Sequence, residues 1–488
     1  MLNAAAQLLQ VVVGIVVVPF LVRGMGADVF GAFQLVWVLL GYFALVDIGL
    51  GRATTRFVAD AIGRRATLEI PEIVASAASL QAVMGVLGAL VLAAASGPIV
   101  VRMLDAPAAL EPAMISALRW MSIALPAVLL APSYSGVLEA HQRFDLVNAI
   151  RLPSGVATLI APLVALSAGA GLVGIVQSVV LVRYATVVAY YVLSNRVIGK
   201  EGRHRPSTAH FRALLGFGGW VTVSNVISPL MVYLDRFVIG ARLGLEAVAH
   251  YTAPFDAIVR AAVLPSSLTS ALFPAFSSLN AAGDRDQMQR IAASSARLLI
   301  TIMTSLAVTI IIGAHAGLRI WLGPVFADAA TPAVRIIAVG VLANALAQIP
   351  FAVLQSSGRA DVTASLHLIE LPLYGAALWF LTSRYGIAGA GLAWAGRCTL
   401  DAGLLYGAIR ITLRRTLPLA RAVVVGSVLP LALAIAIAAA GLSDPASLAA
   451  AALGAALSLL SAWRFVLSAD DRASVLRQLQ RYTTLPTS

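Results

Sequence analysis

Apolar runs of membrane-spanning length, separated by short polar connections, repeat along almost the whole chain. A transmembrane helix needs about 20 consecutive apolar residues. About fourteen runs qualify, centred roughly on residues 12, 45, 88, 125, 158, 184, 226, 263, 302, 343, 372, 398, 430 and 455. The pattern predicts an all-α integral membrane protein. The first run begins at Leu2, with no basic segment ahead of it and no convincing cleavage site. It is therefore expected to be a retained helix and not a signal peptide. Because Met1 abuts that helix, the natural start is expected a few residues upstream. No connection is long enough to form an extramembrane domain.

Composition removes the soluble alternatives. The 488 residues are 60% hydrophobic and 11% charged, with a mean hydropathy of +0.91. An ordinary soluble domain carries about 25% charged residues, and so few charges could not cover a water-exposed surface. A soluble enzyme, a disordered scaffold and a nucleic-acid binder are excluded, despite a net charge of +12. The positive excess is read instead against a bilayer, where Lys and Arg mark the cytoplasmic side. Twenty of the 34 basic residues lie at connections after even-numbered helices or in the C-terminal tail, most densely from Arg196 to Arg212. Six lie at connections after odd-numbered helices: Arg23, Arg102, Arg242, Arg319, Arg335 and Arg384. That bias places both termini in the cytoplasm. The single cysteine, Cys398, leaves no disulfide framework and no multi-thiolate metal site. Neither a G-x-x-x-x-G-K-[ST] phosphate loop nor an H-E-x-x-H pair occurs, so no nucleotide-driven motor is expected.

The chain also repeats itself. Met25-Gly26-Ala27-Asp28 is echoed by Leu243-Gly244-Leu245-Glu246, and Pro132 by Pro350. Gly136-Val137-Leu138-Glu139, leading to Arg143 and Asp145, is echoed by Ala352-Val353-Leu354-Gln355, leading to Arg359 and Asp361. Six helices per repeat give two halves of the same topology, a recurrent transporter plan. The expected organisation is an N-lobe of helices 1–6 (1–198) and a basic cytoplasmic linker (199–212). A C-lobe of helices 7–12 (213–416) follows, then helices 13 and 14 with a cytoplasmic tail (417–488).

Helices 1 and 2 carry recognisable text: Pro19-Phe20-Leu21-Val22-Arg23-Gly24-Met25-Gly26, then Phe30-Gly31, then Leu45-Val46-Asp47-Ile48-Gly49-Leu50-Gly51-Arg52-Ala53. These segments resemble the Wzx-type oligosaccharide flippases of the multidrug/oligosaccharidyl-lipid/polysaccharide exporter superfamily. The stretch from Tyr251 to Ser278, with Phe273-Pro274 near its end, looks like helix 8 of these proteins. The resemblance implies export of an undecaprenyl-pyrophosphate-linked oligosaccharide across a bacterial inner membrane by alternating access. It implies an H+ or Na+ gradient as the energy source, with no cofactor. Membrane lipids, and polysaccharide polymerase or chain-length proteins, are the partners it suggests.

A charge at mid-bilayer depth costs about 2.5–3.5 kcal/mol or more on insertion scales, so each one is a candidate for function. Four arginines are expected to meet the substrate diphosphate: Arg52, Arg183, Arg260 and Arg397. Arg183 has no acidic residue within four positions, which suits an anionic ligand. Arg397 stands at the equivalent place in the second half, with Asp401 one turn away as a candidate partner. Arg260 occupies about the place where related lipid flippases keep a cavity arginine, yet Asp256 at i−4 could simply neutralise it. Arg52 and Arg56 share a face near the cytoplasmic end and could equally snorkel to the interface. Ion coupling is assigned to Asp47, Asp256, Glu370 and Asp401. Asp47 could instead pair with Arg52 or Arg56, and Glu370, one turn after His367, is a protonatable carboxyl or a neutral one bonded to a neighbouring helix. An exporter of cationic drugs is the alternative function, disfavoured by the arginine-rich span census. A membrane glycosyltransferase or polymerase is disfavoured by the short external loops.

Overall fold

The computed structural model describes residues 2–45, 50–104, 106–199, 205–207, 210–211, 231, 233–412 and 419–483. Among them every regular element is a helix. Among the described residues ten helices are long and apolar enough to cross a membrane, and two shorter apolar stretches, Leu9–Met25 and Ala27–Leu39, precede them. The expected seventh run, around residue 226, lies outside the described residues, as does most of the basic linker.

The chain divides into two compact units, Met1–Ala253 and Pro254–Ser488. The first contains α1 (Leu2–Met25), α2 (Ala27–Leu45), α3 (Leu50–Gly63), α4 (Ile70–Pro98), α5 (Glu111–Ala140), α6 (Phe144–Ser167) and α7 (Leu172–Ile198). Small residues set its helix spacing, as expected where lipid gives no hydrophobic drive for association. A Cβ on Gly85 would stand 2.5 Å from the Pro126 backbone, so α4 and α5 touch at main-chain distance. Gly136 likewise lets α5 meet α3, and beside it Thr54 and Ser133 share a hydroxyl bond of 3.1 Å.

The chain enters the second unit within α8 (Leu245–Val259). A 3-10 turn, Arg260–Ala262, separates α8 from α9 (Val263–Ala281), whose Pro265 cannot donate to the preceding turn. Next come α10 (Arg285–Trp321), α11 (Pro324–Ser356) and α12 (Ala360–Thr412). At 53 residues α12 would be roughly 80 Å long if straight, against a hydrocarbon core of about 30 Å. It folds back at Gly386, whose φ of 60° and ψ of −144° lie where only glycine is at ease. The two arms correspond to the expected helices 11 and 12.

Helices α10 and α11 form the interior of this unit: 67% and 61% of their most apolar stretches are buried, against 22% for the late helix α14 (Asp444–Phe465). The helices beyond the repeat are fastened along α10. Thr304 bonds Ser427 at 2.9 Å, and Ser305 bonds Ser458 of α14 at 2.7 Å. Ser427 belongs to a π-helical turn, Val424–Val428, that leads into α13 (Leu429–Ala439). The C-terminal helix α15 (Ala469–Thr483) is held at its first turn, where Asp471 accepts from Arg297 Nε at 2.7 Å and from the Ser294 hydroxyl.

Candidate functional site

The fold-back at Gly386 brings the charged residues of the second unit together. Glu370 lies sixteen positions before the bend and Asp401 fifteen after it, so the two arms carry these carboxylates at one level. Both are buried, at 1% and 7% exposure, far below what isolated charges tolerate. His367, one turn from Glu370, brings Nε2 to 3.7 Å from Asp401 Oδ1, and its ring stacks on Phe351 at 6.2 Å. One ligand atom from each of His367, Glu370 and Asp401 lies within 4.8 Å of the others. Both Glu370 oxygens and Asp401 Oδ1 lack a hydrogen-bond partner among the described residues. Two carboxylates and an imidazole thus converge on one buried point of the second unit. The carboxylates offer hard oxygen donors and the imidazole a borderline nitrogen donor, a set that a proton or a cation can share.

One turn nearer the bend, Arg397 faces the other arm's Tyr374, again at matching distances from Gly386. Its guanidinium carbon is 5.6 Å from the ring centroid, and Nη2 donates to Cys398 Sγ at 3.6 Å. The i+4 spacing suggested Asp401 as the partner of Arg397. The fold-back also brings Asp401 within ion-pair distance of His367, on the other arm.

In the first unit Arg183 of α7 reproduces part of this arrangement. Its guanidinium carbon lies 5.8 Å from the Trp37 ring centroid of α2. Its Nε is buried and has no hydrogen-bond partner among the described residues. A guanidinium laid on an aromatic face keeps its charge with less water around it. Arg183 and Arg397 thus each place a guanidinium near an aromatic ring.

The other expected site residues are dispersed. Arg52 and Arg56 are exposed on α3, whose opposite face buries Leu50, Ala53, Thr54 and Val58. Asp256 and Arg260 are half-buried, and Arg260 opens the 3-10 turn instead of continuing α8. Asp47 lies outside the described residues. One buried charge pair escaped the sequence reading. Asp235 and Arg236, 0% and 2% exposed, bond each other at 3.2 Å, and the Tyr251 hydroxyl donates to Asp235 Oδ2 at 3.0 Å. Adjacent opposite charges inside an apolar stretch were the available signal.

Comparison with known proteins adds the family. The polysaccharide biosynthesis protein family matches residues 1–280. A candidate O-antigen transporter from Shigella flexneri is 32% identical over 391 residues, covering 79% of this chain and 91% of its own length. The chain belongs to the polysaccharide biosynthesis protein family. A lipid II flippase, MurJ, in an inward closed conformation shares the fold with a TM-score of 0.73. That alignment is 11% identical and covers 93% of this chain and 97% of the flippase. An inward-facing multidrug MATE transporter of the MOP superfamily aligns with a TM-score of 0.72 and 15% identity, covering 83% and 95%. The O-antigen transporter relative and these structural neighbours are membrane transporters and not enzymes.

Proposed function

We propose that this protein flips an undecaprenyl-pyrophosphate-linked oligosaccharide across the bacterial inner membrane by alternating access. Its fourteen helices would form two six-helix lobes plus two trailing helices, with both termini in the cytoplasm. The observation that carries the reading is the matched pair of arginines, Arg183 on Trp37 and Arg397 on Tyr374, one in each unit. A diphosphate presents two negative charges and several acceptors, and a poorly hydrated guanidinium offers both charge and a planar fork. Arg52 and Arg260 are the further candidates for this contact. The O-antigen transporter relative and the lipid II flippase fold support a lipid-linked glycan as cargo. In this reading the His367–Glu370–Asp401 cluster takes the coupling ion, H+ or Na+, with Asp47 and Asp256 as the other candidates.

Replacing Arg183 with Ala should abolish transport of the lipid-linked oligosaccharide in reconstituted vesicles while leaving expression and membrane insertion unchanged. Lys should restore part of the activity, since it keeps the charge and loses the fork. Normal flipping by Arg183→Ala would overturn the diphosphate assignment.

A further inference from the structure

We propose that His315 is a pH-sensitive clasp that fastens the last two membrane helices to the rest of their unit. Its imidazole lies near the end of α10 with one nitrogen toward α11 and the other toward α14. Nε2 is 3.1 Å from Asp328 Oδ1, and Nδ1 is 3.1 Å from Asp444 Oδ1. A neutral imidazole carries one N–H, and its second nitrogen is an acceptor. Both contacts are attractive only when the ring holds its second proton. Without that proton one carboxylate faces a lone pair, and the contact turns repulsive.

The neighbouring charges complete the device. Arg319, one turn along α10, donates Nη1 to Asp444 Oδ2 at 2.7 Å. His315, Arg319, Asp328 and Asp444 therefore balance as two cations and two anions when the ring is protonated. Arg335 of α11 lines the same cavity of about 410 Å³, but it donates Nε to the Ile311 carbonyl at 3.1 Å and Nη2 to the Ala438 carbonyl at 3.4 Å. Residues 429–443, which include α13 and its connection to α14, carry no ionisable side chain. Loss of one proton thus leaves Asp328 or Asp444 without its donor from His315, and Asp444 stands in the first turn of α14.

Proton release loosens one end only. The bonds Thr304–Ser427 and Ser305–Ser458 lie midway along α10, and Asp471 holds Arg297 two turns further from His315. Hydroxyl pairs do not titrate near neutrality and Arg319 keeps its bond to Asp444, so the hold on the α13–α14 connection weakens while the middle stays fully bonded. On the orientation proposed above, the clasp faces outside the cytoplasm and reports external pH. The test does not depend on that orientation.

Hydrogen–deuterium exchange of the full-length protein in lipid nanodiscs reads the clasp directly. Rates are compared at about pH 5.5 and about pH 8.5, on either side of the usual imidazole range near about 6.5, after correction for intrinsic exchange. Amides 441–448 should exchange about three- to tenfold faster at the higher pH, as expected when a partly exposed charge-assisted bond is lost. Peptides covering residues 300–309 should not change. His315→Gln should remove the pH dependence. Asp328→Asn, which deletes one carboxylate facing the ring, should move the midpoint to lower pH. Equal corrected rates in the wild type, an unaltered profile in His315→Gln, or an unmoved midpoint in Asp328→Asn each overturn the proposal. The Asp328→Asn measurement decides it if His315→Gln fails to fold.

Discussion

Asp471 shows what a single charge does in this molecule. Burial, the largest influence on its carboxyl, favours the neutral acid, yet donors from Arg297, Ser294 and Ser468 outweigh it and hold the group down at about 2. An unperturbed aspartate titrates near about 3.9. A pKa lowered by folding contributes stability that is complete above the unfolded value and disappears as pH falls through the folded one. The docking of α15 should therefore be at full strength above about pH 4 and weaken from about pH 4 toward about pH 2. At neutral pH Asp471→Asn removes the charge while keeping the shape. Trypsin should then cut the exposed bond after Arg477 about two- to tenfold faster, the loss expected for one charge-assisted hydrogen bond. Unchanged cleavage would mean that the tail is held by something other than Asp471. Arg183 and Glu370 belong to the same scale. Sequence singled out both from the cost of a charge in lipid, and the structure gives each a buried, incompletely bonded setting.

Among the elements, the paired arms of α12 decide how the second unit's charges meet. Two glycines make the bend. Gly386 supplies the positive φ, and Gly389 clears the way, because any Cβ there would collide with the Leu381 carbonyl. Gly386→Ala should cost about 1–3 kcal/mol through backbone strain. Gly389→Val should cost more, since neither arm can withdraw without unpacking. Thermal unfolding in detergent measures both, and an unchanged midpoint in Gly389→Val would show that the arms do not approach as closely as described. The two spans around 372 and 398 were legible as separate hydrophobic runs. The meeting of Asp401 with His367 and Glu370 was not, because i,i+4 spacing counts neighbours along one helix. Distance from Gly386 was the relevant ruler, and it pairs Asp401 with Glu370 and Arg397 with Tyr374.

For the molecule as a whole, the absence of a phosphate-binding loop in the sequence leaves an ion gradient as the proposed energy source. Collapsing the H+ and Na+ gradients across proteoliposomes should stop net accumulation of flipped lipid-linked oligosaccharide. Adding back one ion at a time should identify the coupling species. Unimpaired accumulation without any gradient would contradict coupling and point to passive equilibration. Membrane class and the positions of most spans were determined by the sequence alone. They depend on properties of local segments: the transfer free energy of a 20-residue run belongs to that run whatever it packs against. What side chains meet was decided only in the tertiary structure. Helix rotation and the level at which two arms face each other follow from packing across distant segments. The His367–Glu370–Asp401 cluster needs the fold-back at Gly386. Asp471 finds Arg297 across 174 residues of chain, a pairing that no local pattern records.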